Sequence, residues 1–169
     1  MAQGKSDQQN VGNLWRETKI KDVMAVKVKT LYEDDELSKA QEIFMSDHVF
    51  YIPIISHDDK LIGLMSHKYL YRTRSPRKFI EGDAFYEPGF LVDGDSYYEK
   101  ETLDSYILRA MMQRDPCTMR PQESLADAVV TMVKRNLGCL IIVDDNRRVA
   151  GMVTDREILF FTARIIEGT

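Results

Sequence analysis

Gly151-Met152-Val153-Thr154-Asp155-Arg156-Glu157-Ile158-Leu159 joins the end of an apolar strand to the start of a helix. Thr154-x-x-Glu157 ahead of an apolar stretch has the form of a capping box. In that motif the hydroxyl and the carboxylate each satisfy an N–H group left open by the first turn. Upstream, Leu140-Ile141-Ile142-Val143, polar Asp144-Asp145-Asn146-Arg147-Arg148 and Val149-Ala150-Gly151-Met152-Val153 follow one another. Apolar runs split by an Asp/Asn-rich turn read as strand, turn, strand. Further back, Leu125, Ala128, Val129, Met132 and Val133 recur at i, i+3, i+4, i+7 and i+8, which predicts a helix with one apolar stripe. Gln122-Glu123-Ser124 precedes it, and acidic residues there suit the positive end of the helix dipole. Pro116-Cys117-Thr118-Met119 reads as a short extended piece.

The same order stands 88 positions earlier. Met24 falls on Met112, Thr30 on Thr118, Leu37 on Leu125, Ala40 on Ala128, Ile54 on Ile142 and Gly63 on Gly151. No gap is needed between Lys21 and Leu70. The first copy has its extended piece at Val28-Lys29-Thr30-Leu31 and its acidic stretch at Glu33-Asp34-Asp35-Glu36. Its helix stripe is Leu37, Ala40, Gln41 and Phe44, with Gln41 the weak position. Its hairpin is Ile52-Pro53-Ile54-Ile55, His57-Asp58-Asp59-Lys60 and Leu61-Ile62-Gly63-Leu64-Met65, and a last helix opens at Ser66. Two copies are too few for a solenoid. The fold class expected is mixed α/β, two β-α-β-β-α repeats packed as a pseudo-twofold pair.

Composition bounds the function. The 169 residues carry 23 Lys and Arg against 27 Asp and Glu, a net charge of −4, with 44% hydrophobic residues. No stretch approaches the ~20 apolar residues of a membrane helix, so no membrane association is expected. Met1–Ser6 has no apolar core of a secretory signal, and Ala2 departs from the myristoylation pattern. The acidity argues against a sequence-independent nucleic-acid binder, which needs many Lys/Arg–phosphate contacts. Cys117 and Cys139 stand without a Cys-x-x-Cys or a nearby His pair. No zinc set assembles by spacing, and two reduced thiols suit a cytoplasmic protein. His48, His57 and His67 have no nucleophile signature around them and no phosphate loop is present, so no catalytic residue and no metal ligand is assigned.

The repeat unit resembles the CBS domain, the regulatory module named after cystathionine β-synthase. Lys21-Asp22-Val23-Met24 and Arg109-Ala110-Met111-Met112 are similar to its opening segment. Ile52-Pro53-Ile54-Ile55 is similar to its aliphatic-Pro-Val-Val strand, and Gly151–Leu159 to its closing run. The resemblance covers residues 20–71 and 107–166. The division expected is an N-terminal segment at 1–19, repeat one at 20–71, an inserted linker at 72–106 and repeat two at 107–169. The resemblance implies two repeats face to face, clefts between them, an adenosine-containing ligand such as AMP, ADP or ATP as regulatory ligand, and a homodimer. It implies a sensor that signals to an effector protein. Departures from the site pattern leave open a dimerisation or scaffold module whose sites have decayed.

Residue by residue, the resemblance places Thr118, Thr154 and Glu157 at one cleft. The family has Asp where this chain has Glu157, one methylene longer but still an acceptor for ribose hydroxyls. Thr154 and Glu157 equally suit a purely local cap. At the other cleft Thr30 and Ser66 match, but the carboxylate position is Tyr69, which cannot accept both ribose hydroxyls. That cleft is expected to be empty or to hold something other than a nucleotide. For phosphate the candidates are His48 and Arg156 at the first cleft, and Lys134 and Arg135 at the second. Each also fits a solvated face.

Residues 72–106 have no counterpart in the repeat. They hold Phe79, Phe85, Tyr86, Phe90, Tyr97, Tyr98 and Tyr106, seven of the chain's 16 aromatics. Disordered segments are poor in aromatics, so an ordered strap or linker is expected there. Residues 1–10 are polar and read as disordered, while Leu14 and Trp15 dock a short N-terminal segment.

Overall fold

The computed structural model describes residues 12–68 and 107–168. The expectations for residues 1–10, Tyr69 and the insert at 72–106 lie outside the described residues. The chain divides into two compact units. One is built from the described parts of Met1–Lys29, His57–Leu61 and Pro116–Thr169, the other from those of Thr30–Ser56 and Ile62–Asp115.

The second unit holds β1 (Leu31–Tyr32), α1 (Leu37–Asp47), β2 (Tyr51–Ile55), β3 (Leu61–Ser66), α2 (Leu108–Met111) and β4 (Gln113–Arg114). Its sheet runs β1-β2-β3-β4. β1 lies parallel to β2, with Leu31 opposite Ile54, and β4 lies antiparallel to β3, with Gln113 opposite Leu64. The first unit holds β5 (Thr118–Met119), α3 (Leu125–Arg135), β6 (Cys139–Val143), β7 (Val149–Thr154) and α4 (Asp155–Glu167). β5 is parallel to β6, with Met119 opposite Ile142, and β6 is antiparallel to β7. A bridge from Ala25 to Met152 takes the place that Gln113–Leu64 has in the other sheet.

These registers repeat at the sequence offset of 88, and so do the cores. Leu37, Ala40, Phe44, Ile52, Ile54, Met65 and Leu108 form one cluster. Ile20, Met119, Ala128, Met132, Leu140, Ile142 and Val153 form the other. Ala40 answers to Ala128, Phe44 to Met132, Ile52 to Leu140, Ile54 to Ile142, Met65 to Val153 and Leu108 to Ile20. Both strands of each hairpin are nearly continuous apolar runs because they are buried on both faces.

The opening segments are exchanged between the repeats. Lys19 bridges Ser124, and Ile20 and Lys21 donate to the carbonyls of Glu123 and Pro121 at 3.0 Å each. Reciprocally, Glu36 bridges Ile107, and Leu108 and Arg109 donate to Asp35 and Glu33 at 2.9 and 2.8 Å. Each repeat's sheet is thus completed by the start of the other repeat. Upstream, residues 12–17 are helical, and the Trp15 ring meets the edge of Phe161 with centroids 4.9 Å apart. Leu14 stays 41% exposed, so Trp15 is the docking residue of the pair.

The apolar stripe of α3 is narrower than its sequence suggests. Leu125, Ala128 and Met132 are buried, but Val133 is 76% exposed. Eight residues at 100° each bring Val133 round to the edge of the stripe set by Leu125.

Candidate functional site

β7 ends and α4 begins at Thr154. Its backbone is extended, and its Oγ1 accepts from the Arg156 N–H at 3.2 Å. Glu157 reaches back, its Oε2 accepting from the Thr154 N–H at 2.9 Å and from the Thr154 hydroxyl. The capping box is therefore formed, and it engages the Thr154 hydroxyl and the Glu157 carboxylate with one another. Thr154 and Glu157 are half-buried, and Asp155 and Arg156 are exposed. The Arg156 guanidinium lies over the Phe160 ring, 5.3 Å from its centroid, and so extends along the helix.

Thr118 opens β5 opposite Ile141, and Thr154 closes β7 opposite Cys139. The two hydroxyl residues therefore flank β6 in one sheet. Beside Thr118, the Cys117 sulfur accepts from Arg135 Nη1 at 3.4 Å. Sequence reading did not foresee this cation at the start of β5; the i, i+18 separation carries no local signal. Lys134 and Arg135 both stand in the last turn of α3, where cations meet the negative end of the dipole.

The other unit repeats the frame with different chemistry. Thr30 is half-buried just ahead of β1. His48 is the left-handed C-cap of α1, with φ 53°, and is exposed. Its counterpart Asn136 caps α3 with φ 52°, so His48 has a backbone role whatever else it does. Ser66 closes β3 at 3% exposure, and its Oγ is buried with no hydrogen-bond partner. After it, His67 donates its N–H to the Phe50 carbonyl at 2.9 Å. The His67 ring meets the edges of Phe44 and Phe50 at 5.4 and 6.0 Å. Phe50 is 64% exposed and stands where the other repeat has Gly138. A bulky aromatic just before an apolar strand, where the duplicate has glycine, was the available signal for that difference.

Among the described residues no group of three or more His, Cys, Asp or Glu is placed to hold a metal ion. Also among them, no helix is long and apolar enough to cross a membrane.

Comparison with known proteins agrees with this frame. The family model described as CBS domain matches residues 20–74 and 108–164. A homoserine O-acetyltransferase of Methanohalobium evestigatum is 24% identical over 157 residues, covering 93% of this chain and 26% of that protein. The chain spans about a quarter of the length of the first curated relatives it matches. Among solved structures, CBSX2 in complex with AMP gives a TM-score of 0.66 at 17% identity, over 87% of this chain and 97% of that one. The CBS domain pair of protein MJ0100, in complex with 5′-methylthioadenosine and S-adenosyl-L-methionine, gives 0.64 at 19% identity, over 86% and 99%. At such identities the likeness is one of fold. With two family matches at the two repeats read from the sequence, this chain belongs to the CBS domain family as a tandem pair.

Proposed function

We propose that the chain is a regulatory ligand-sensing module. It takes an adenosine-containing nucleotide, AMP-like, and passes the bound state to a partner protein; it acts as a cytoplasmic homodimer and performs no catalysis of its own. The observation that carries this reading is the repeated placement of a hydroxyl at the strand-to-helix junction, Thr154 and Ser66, with Thr118 and Thr30 across the central strand of each hairpin sheet, β6 and β2. Fold neighbours whose names include AMP, 5′-methylthioadenosine and S-adenosyl-L-methionine support the ligand class. Relatives in which the matching stretch is about a quarter of an acetyltransferase support a regulated partner. Hydroxyl and carboxylate groups at the junction supply donors and acceptors for a sugar or a base. Ordering of the junction by ligand would bias the chain toward one partner-binding state.

Thermal unfolding of the full chain with AMP, ADP, ATP, S-adenosylmethionine and NADH tests this. A ligand at 100 times its dissociation constant adds about 2.7 kcal/mol, which is a rise of roughly 5–10 °C for a chain of this size. A rise with at least one of them is expected, and none with any of them would sink the reading. A second reading, a dimerisation or scaffold module with decayed sites, is favoured by Thr154 and Glu157 satisfying one another. It predicts no ligand response together with a concentration-dependent dimer in sedimentation.

A further inference from the structure

α4 is apolar on both of its sides. Phe161 is buried, Ile158 and Ile165 are half-buried, and the Trp15 ring meets the edge of Phe161. At 100° per residue, Leu159, Ala163 and Ile166 fall on the side opposite Phe161, with Phe160 beside them. Leu159, Phe160 and Ile166 are 67%, 56% and 79% exposed. The charged residues of α4 stand only near its ends, Asp155, Arg156 and Glu157 at the start and Arg164 and Glu167 at the finish. A helix apolar all round is normally covered all round. α3 of the same unit adds Val130 and Val133 to the exposed apolar side chains. On α1, Glu42 stands in the place of Val130 and breaks the equivalent face.

The outer line of α4 is complementary to itself. Arg156, Phe160, Ala163 and Glu167 are all exposed and follow one another at i, i+4, i+7 and i+11, the spacing of one seam along a helix. The guanidinium of Arg156 lies over the Phe160 ring and so along this line. Arg156 and Glu167 stand at its two ends, about 16 Å apart at 1.5 Å per residue. Reversing the direction of a second such helix sets Arg156 against Glu167 and the large Phe160 against the small Ala163, and it does so twice. Parallel pairing would instead set arginine on arginine and ring on ring. A patch that matches its own reversed copy is what a two-fold dimer requires.

We infer that the chain pairs with a second copy through α4, laid antiparallel on the α4 of that copy. This rests on the proposal that the chain acts as a homodimer, and it assigns that dimer to repeat two. Phe160, Leu159 and Ile166 supply the apolar contact, Ala163 the close approach, and the Arg156–Glu167 pairs the direction.

Sedimentation equilibrium of the full chain over a range of concentrations tests it. The wild type is expected to be a dimer. Ala163→Glu, at an exposed helical position, sets a carboxylate against Phe160 of the second copy and is expected to weaken the dimer by at least about a hundredfold. Arg156→Glu and Glu167→Arg each bring like charges together twice over and are each expected to weaken it about tenfold. The double reversal restores opposite pairs and is expected to return to within about threefold of wild type. Both reversals suit the dipole of α4, with an acid at its start and a base at its end, so a dimer lost to either is not lost through the helix. A wild-type dimer that Ala163→Glu leaves intact overturns the inference, while the homodimer stands on another face. Single reversals without effect, or without rescue in the double variant, overturn the antiparallel pairing. A wild-type chain that stays monomeric overturns the inference and the homodimer together, while the ligand-sensing reading stands or falls by thermal unfolding.

Discussion

The Met24 side chain lies against the backbone of Gly151. A methyl group on Gly151 would stand 2.6 Å from Met24 Sδ and 2.8 Å from the Ala25 carbonyl oxygen. The equivalent pair is Met112 and Gly63, where a methyl group would stand 2.9 Å from Met112 Cγ and 3.2 Å from the Gln113 carbonyl oxygen. Both glycines sit inside strands, and each admits the opening segment of the other repeat. A glycine within a strand commonly marks such a close approach of another stretch of backbone.

Gly151→Ala should therefore destabilise the fold by about 1–3 kcal/mol, the usual range for overpacking. Gly63→Ala should cost less. Both would displace a flexible thioether, but only at Gly151 does a backbone oxygen stand closer than 3.0 Å. Urea unfolding of the two variants checks the order. Equal midpoints would show that only the methionines give way.

The two main repeat helices are capped unequally. Ser124 caps α3 by accepting from the Asp127 N–H at 3.1 Å, whereas Glu36 at the start of α1 makes no side-chain cap. Glu36→Ser should stabilise the chain by about 0.5–1 kcal/mol, and Ser124→Ala should cost about 1 kcal/mol. Differential unfolding of the pair measures both. A neutral Glu36→Ser would mean that the Glu36–Ile107 bridge fixes the end of α1 without need of a cap.

Most of this fold was readable from the sequence because the informative contacts are local or repeated. The 88-residue offset aligned the buried positions of both cores, and the hairpins and the Thr154–Glu157 box were each set within a few residues. The exchange of opening segments was not readable. Lys19–Ser124 and Ala25–Met152 link residues more than a hundred positions apart through single bridges, and a two-residue strand has no periodicity. Gly63 and Gly151, each facing a methionine from the matching place in the opposite repeat, were the one sequence signal of it. At the two strand-to-helix junctions the sequence names the side chains but not their state. A sequence does not show whether a hydroxyl is satisfied, and that is what separates Ser66 from Thr154.

Lys39 and Asp35 form an i, i+4 pair at the head of α1, and the hydrogen bond to Asp35, then its charge, raises the Lys39 pKa above 10.5. A group whose folded pKa is raised contributes stability that is fully present below its unfolded value and is lost as pH climbs through the folded one. The difference in stability between wild type and Lys39→Met should then be constant from pH 7 to about 9 and shrink only in strong alkali. Because the pair is at the surface, the difference should be small and should fall with added salt. Unfolding midpoints across that range check it, and a difference that persisted unchanged through strong alkali would assign it to packing of the side chain rather than to its charge.

Arg120 stitches the end of β5 to the second hairpin. Its Nη1 donates to the Val143 carbonyl at 3.3 Å and to the Asp144 carbonyl, just where Asp144 folds the turn. Asp144 Oδ1 accepts from the Asn146 and Arg148 N–H groups at 2.9 and 2.8 Å. The contact with Asp145, at 3.6 Å, is to a fully exposed carboxylate and adds little. Arg120→Ala leaves the two carbonyls without this donor and should cost about 1–2 kcal/mol. Arg120→Lys should recover only part of that, since the planar guanidinium holds its Nη1 donor group in a fixed direction, whereas an ammonium sits on a flexible and shorter stem. Amide exchange localises the effect: faster exchange is expected at Asn146 and Arg148, with Leu140 and Ile141 unchanged. Uniform loss of protection across β6 would instead make Arg120 part of the global core, and full rescue by lysine would show that its charge alone matters.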